Sequence, residues 1–244
     1  MRDRRRKDGI KKYRAFSCPF LPRPMPSALY AILFVFFMVI ACEKESDIPT
    51  VTELPNHTGT IVALGDSLTE GLGVSDTAAY PAQLEKRLIA GGNPYRVINA
   101  GISGETSSGA LSRIKWVLTL KPDILILETG ANDGLRGIDP LLIEKNIREI
   151  VKILKSKNVI VILAGMRMVG NMGPDYTTAF AEIYPNIAAD EDIIFIPFFL
   201  EGVADNPAFN QSDGIHPTVE GYRIITDLVY PYVLDAIRKR PVAP

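Results

Sequence analysis

Four short segments of this 244-residue chain set catalytically capable residue types beside glycines. The first is Gly65-Asp66-Ser67-Leu68-Thr69-Glu70-Gly71. A serine where a strand turns into a helix can present its oxygen to a substrate, and flanking glycine lets backbone and substrate approach closely. The other use of a serine there is to cap the helix. The second segment, Asn99-Ala100-Gly101-Ile102-Ser103-Gly104-Glu105-Thr106, is a glycine-rich loop ahead of a helix. Its N–H groups could cradle an anion, or it is simply a tight turn. The absence of Gly-Lys-Ser/Thr excludes a nucleotide P-loop, and Gly101 with Gly104 falls short of a dinucleotide fingerprint.

The third segment, Glu128-Thr129-Gly130-Ala131-Asn132-Asp133-Gly134, offers the Asn132 amide to the same crevice, or a plain Asn-Asp-Gly turn. The fourth is Ser212-Asp213-Gly214-Ile215-His216-Pro217. Of the two histidines, His57 sits in a polar stretch ahead of the patterned body, so imidazole chemistry falls to His216. A lone histidine is commonly structural, but Asp213 lies three residues earlier across a glycine. A short turn can bring that carboxylate to ring Nδ1 and leave Nε2 to take a proton.

In combination these segments resemble the SGNH (GDSL) hydrolase superfamily, named for a Ser, Gly, Asn and His in four blocks. The resemblance implies Ser67 as nucleophile, Asp213 and His216 as the base pair, and Ser67, Gly104 and Asn132 as oxyanion donors. Order and approximate spacing agree over residues 60–220. Gly134-Leu135-Arg136-Gly137, Ala181-Glu182-Ile183-Tyr184-Pro185 and Pro197-Phe198-Phe199-Leu200 are similar to the bacterial lysophospholipase/thioesterase/arylesterase branch. The implied activity is a serine esterase acting through an acyl-enzyme on a small-molecule acyl ester or lipid, such as aryl esters and lysophospholipids, with no cofactor. Coenzyme A thioesters are poor candidates outside the cytoplasm. The superfamily also includes carbohydrate O-acetyl esterases, so an envelope glycan deacetylase is the alternative. A non-catalytic binding lipoprotein is a more distant one, since all five positions are filled. With one histidine in the body and no cysteine after Cys42, a zinc site is not expected. Gly165–Gly173 carries Met166, Met168 and Met172, which either line an adaptable acyl pocket or pack beneath a loop.

The scaffold follows from periodicity. Short β-branched runs at 61–64, 96–99, 124–127, 159–163 and 193–196 suit strands buried on both faces. Helical patterns fit 77–90, 107–120, 140–157, 176–189 and 218–239. The clearest has Ile143, Ile147, Ile150, Val151 and Leu154 on one stripe, behind an Asp139-Pro140 start signal. Strict alternation predicts a three-layer α/β/α domain on a five-stranded parallel sheet. This is also the SGNH/flavodoxin-like hydrolase fold that the resemblance implies. The loops after the strands' carboxyl ends then form the ligand crevice.

At 47% hydrophobic and 23% charged, the composition is that of a globular protein. Charge is unevenly spread: residues 1–41 hold nine Lys and Arg and two Asp. Residues 42–244 hold 18 Lys and Arg against 26 Asp and Glu, a net of −8, which argues against a nucleic-acid partner. Behind the basic segment, 27–41 is uncharged, too short for the roughly 20 residues of a spanning helix and suited to a signal-peptide core. Val39-Ile40-Ala41-Cys42 resembles a bacterial lipobox, which implies lipidation of Cys42. An uncleaved anchor helix is the alternative, and Met25 is a second possible start. The expected organisation is a signal peptide at 1–41, a polar tether at 42–59 and a hydrolase domain at 60–240. The expected location is the bacterial cell envelope, on the periplasmic side, with a lipid anchor in the membrane. Cys18 falls in the removed part, leaving no disulfide.

Overall fold

The apolar runs become five parallel strands: β1 (Gly59–Gly65), β2 (Tyr95–Gly101), β3 (Ile124–Glu128), β4 (Ile160–Ala164) and β5 (Ile194–Ile196). The computed structural model describes residues 57–168 and 172–240. The leader, Cys42 and the tether through residue 56 lie outside the described residues, as do 169–171 of the methionine-bearing loop.

The sheet order is β2-β1-β3-β4-β5. Ile61–Leu64 and Ile124–Leu127 are fully buried, as expected of central strands covered on both faces. The expectation fails for the run at 96–99. Arg96 and Asn99 are exposed because β2 is an edge strand that the helices cover only partly.

Among the described residues, five long helices cover the sheet. On one face α3 (Ser107–Thr119), α5 (Pro140–Lys155) and α6 (Pro174–Glu191) pack side by side, while α2 (Tyr80–Ala90) pairs with α7 (Val219–Lys239) on the other. Asp139 caps α5 by accepting from the Leu141 N–H, with Pro140 as the first helical residue. The five aliphatic residues of the α5 stripe are fully buried, each worth about 1.5–3 kcal/mol of transfer free energy. Two further helical turns, α1 (Ser67–Glu70) and α4 (Ala131–Leu135), are too short to leave a periodic signal. They sit where β1 and β3 end. Among the described residues, no helix is long and apolar enough to cross a membrane.

In this order β1 lies between β2 and β3, so the loops after those three strands open side by side. The β1/β3 boundary is also where the strand order reverses, the usual crevice of an open α/β sheet. Ile147→Ala should cost about 2–5 kcal/mol in urea unfolding. A loss below about 1 kcal/mol would show that the stripe is not the packed surface.

Candidate active site

β1 runs directly into the first segment. Asp66, not Ser67, is the cap of α1: its Oδ1 accepts from the Leu68 N–H at 3.0 Å. The serine hydroxyl is therefore left for another partner, His216 Nε2 at 2.9 Å. Gly65 is required by space. A β-carbon there would lie 2.2 Å from Thr69 Oγ1 and 2.5 Å from Glu128 Oε2.

His216 and Asp213 come from a loop pinned at its base. Gln211 N–H donates to His216 O at 2.7 Å and Thr218 N–H to Phe209 O at 2.8 Å. Thr218 caps α7, so the loop ends against a 21-residue helix. The Gln211 side chain donates to Leu72 O at 2.7 Å and Pro217 O at 2.9 Å, stitching this loop to the chain after α1. Within the loop, Asp213 Oδ1 accepts from the N–H groups of Ile215 (2.9 Å) and His216 (3.0 Å), and Oδ2 meets His216 Nδ1 at 2.7 Å. The His216 N–H, the His216 ring and the Ile215 N–H, in that order, lower the Asp213 carboxyl to about 2. An ionised carboxylate only accepts, so Nδ1 carries the ring proton and the lone pair of Nε2 faces the serine hydroxyl. That arrangement can withdraw a proton from Ser67.

The other two segments supply donors. Glu105 N–H bonds to Ile102 O at 3.1 Å, closing a four-residue turn with Gly104 third, at φ 76°, a position that favours glycine. Among the described residues, the Gly104 N–H has no hydrogen-bond partner. Asn132 donates one amide hydrogen to Asp66 Oδ2 at 2.9 Å and has a second left over. The structure thus hydrogen-bonds Ser67, His216 and Asp213 into one chain. It ties Asn132 to the residue beside Ser67, and it sets Gly104 on the neighbouring loop.

Two buried acids in this region escaped the sequence reading. Glu128, at the carboxyl end of β3, is fully buried; its Oε2 accepts from the Asp66 N–H at 3.2 Å and the Thr69 hydroxyl at 2.9 Å. Its Oε1 has no partner among the described residues. Burial first, and the neighbouring Asp66 second, push the Glu128 carboxyl well above the usual range. Asp66 is pushed up by burial too, but both of its oxygens accept from N–H donors. The proton therefore belongs on Glu128. Asp133, also fully buried, accepts from Ser107 N–H at 2.7 Å and Ser107 Oγ at 2.6 Å, fixing α4 to the start of α3. The available signal was an acid closing an otherwise apolar strand, Ile124-Leu125-Ile126-Leu127-Glu128.

Met166 is buried in the core, as the packing alternative expects. Met168 and Met172 instead abut the Asn132 segment: β-carbons at Gly134 and Gly137 would lie 2.2 Å from Met168 Sδ and 3.4 Å from Met172 Cε. Among the described residues, no three His, Cys, Asp or Glu side chains gather as a metal-binding group.

A 2-1-3-4-5 parallel sheet with a hydrogen-bonded serine, histidine and aspartate at its carboxyl edge defines the SGNH class of carboxylic-ester hydrolases, which act through an acyl-enzyme. The chain belongs to the GDSL-like lipase/acylhydrolase family, which residues 63–224 match. It is 38% identical over 173 residues to "Esterase TesA" of Pseudomonas aeruginosa, covering 70% of this chain and 86% of that one. It is also 38% identical over 169 residues to "Thioesterase 1/protease 1/lysophospholipase L1" of Escherichia coli K12, covering 69% and 80%. Among solved structures, the psychrotrophic esterase EstA from Pseudoalteromonas sp., inhibited by monoethylphosphonate, superposes with a TM-score of 0.71. There the identity is 30%, covering 74% of this chain and 100% of that one.

The buried acid predicts a pH effect on stability. Glu128 ionises when the chain unfolds and stays protonated when it is folded, so the folded state binds one more proton above the ordinary glutamate range. Stability then falls as pH rises, by up to about 1.4 kcal/mol per unit. Glu128→Gln keeps the acceptor oxygen without the acid, and should flatten the unfolding midpoint between about pH 5 and 8. Equal pH dependence in the two proteins would mean that Glu128 is ionised in the fold.

Proposed function

We propose that Ser67 is the nucleophile of an esterase acting on lysophospholipids and aryl esters, with His216 as general base and Asp213 as its partner. The observation that carries this is the continuous chain from Ser67 Oγ to His216 Nε2 (2.9 Å) and from His216 Nδ1 to Asp213 Oδ2 (2.7 Å). As Oγ attacks the ester carbonyl carbon, Nε2 takes its proton, and the ionised Asp213 stabilises the imidazolium. Charge on the former carbonyl oxygen is met by the N–H groups of Ser67 and Gly104 and by the second Asn132 amide hydrogen. Each such donor is worth roughly 2.7–4 kcal/mol. Collapse expels the alcohol, which takes its proton from His216. Water, activated by the same ring, then releases the acid.

Two observations support an apolar acyl substrate over a glycan acetyl group. Leu72, Ile102, Leu135 and Ile215 are exposed, and each lies within five residues of Ser67, Gly104, Asn132 or His216. The Escherichia coli relative is called a lysophospholipase. The purified full chain should hydrolyse p-nitrophenyl esters best at medium or long acyl chains, and Ser67→Ala should lose about 10³-fold or more. Turnover confined to acetyl would replace this substrate class with glycan acetyl esters. Wild-type activity in Ser67→Ala would remove the serine from the mechanism.

The reading includes an exported lipoprotein held to the envelope membrane through Cys42. Support comes from the basic segment, the uncharged run 27–41 and Val39-Ile40-Ala41-Cys42. In a bacterial host, Cys42→Ser should abolish incorporation of labelled palmitate. Labelling that survives the substitution contradicts the lipobox.

A further inference from the structure

The turn that carries Gly104 is held by an ion pair that no step of the mechanism uses. Arg113, on α3, grips the Glu105 carboxylate with both prongs of its guanidinium, Nε to Oε1 at 2.6 Å and Nη2 to Oε2 at 2.6 Å. The pair is largely buried, with the side chains 13% and 7% exposed. Nη2 also donates to Ala100 O at 2.7 Å and reaches Gly65 O at 3.4 Å. Gly65 is two residues before Ser67, Ala100 is the next-to-last residue of β2, and Glu105 follows Gly104 directly. A single guanidinium therefore spans the ends of β1 and β2 and the glycine turn. Gly65 O accepts from the Ile102 N–H as well, at 2.9 Å, which ties the other end of the turn to the nucleophile loop.

Stability alone accounts poorly for this arrangement. A buried ion pair gains little over packed apolar side chains, because both charges must be desolvated. This one also leaves Arg113 Nη1 buried without a partner among the described residues. Local rules broken in this way concentrate where function needs a fixed geometry. An oxyanion donor is such a place, since a misplacement of about 1 Å can cost about 10²-fold in rate.

We infer that Arg113 and Glu105 are positioning residues that set where the Gly104 N–H stands relative to Ser67. This rests on the reading of Ser67 as nucleophile and Gly104 as oxyanion donor. Neither side chain touches the substrate. The ion pair locks the turn, so that the Gly104 N–H is already in place when the tetrahedral oxyanion forms.

The test separates positioning from stability in the full chain. Arg113→Met combined with Glu105→Leu replaces the pair by apolar groups. It should unfold near the wild-type temperature yet show kcat lower by about 10- to 100-fold, with KM for the same p-nitrophenyl ester within about twofold. Covalent inactivation by a p-nitrophenyl phosphonate should slow by the same factor as kcat, because its phosphoryl oxygen takes the oxyanion's place. If the double variant does not fold, Arg113→Lys decides: it keeps the charge but cannot grip both carboxylate oxygens and Ala100 O, and should show the same split. Wild-type kcat in a folded variant overturns the proposal, as does a raised KM with unchanged kcat, or a fall in kcat without slower phosphonate inactivation. Ser67→Ala, assayed alongside, keeps the two readings apart. An active Ser67→Ala sinks the nucleophile itself, whereas an inactive one beside fully active Arg113 variants sinks only the positioning role.

Discussion

The Asp66 carboxylate faces two ways, and the site's geometry hangs on it. One oxygen accepts from Leu68 N–H and so holds the turn that presents Ser67; the other accepts from the Asn132 side chain on the next strand's loop. Its own N–H reaches across to Glu128 at the end of β3. These bonds exist because β1 and β3 are neighbours in register, Leu64 beside Leu127. Strand order thus bears on the site: with another strand in the place of β3 beside β1, Asn132 would lack its acceptor.

Charge around the serine is kept to what the chemistry needs. Asp213 is 45% exposed, so water already favours its anion, and two backbone N–H groups and the imidazole reinforce that preference. Glu128 meets the opposite condition at the end of β3, against Asp66 and Thr69, where full burial pushes its carboxyl well above the usual range. A further anion there, beside the carboxylates of Asp66 and Asp213, would oppose charge developing on the oxyanion. The two acids differ in environment, not in type, and environment decides which one is ionised.

Long elements were legible in the sequence because burial leaves a period. The α5 stripe and the central strands announce themselves through Ile143-to-Leu154 spacing and unbroken aliphatic runs. The edge position of β2 was not legible, since Arg-Val-Ile-Asn reads as apolar at its centre whichever face is covered. Nor were α1 and α4, whose four and five residues make little more than one turn, too short for a stripe to recur. For Ser67 the sequence left two uses open, and the structure gives the capping role to Asp66, one residue earlier. Glu128, Asp133 and Arg113 were passed over for a common reason. Their partners lie 59 and 62, 26, and 8, 13 and 48 residues away, mostly beyond what local pattern can pair.

The bond between Ser67 and His216 joins residues 149 apart, while Asp213 and His216 find each other within one turn. His216 and Asp213 can therefore come together as soon as their loop closes, early and locally. Ser67 meets them only after β1 has joined the sheet and α7 has docked against it, one of the slowest kinds of closure by loop entropy. Fraying of α7 from the sheet would break the Oγ–Nε2 contact while leaving nearly all secondary structure intact. Enzymatic competence in this fold thus reports on the joining of its two ends, and would be lost before circular dichroism registered any melting.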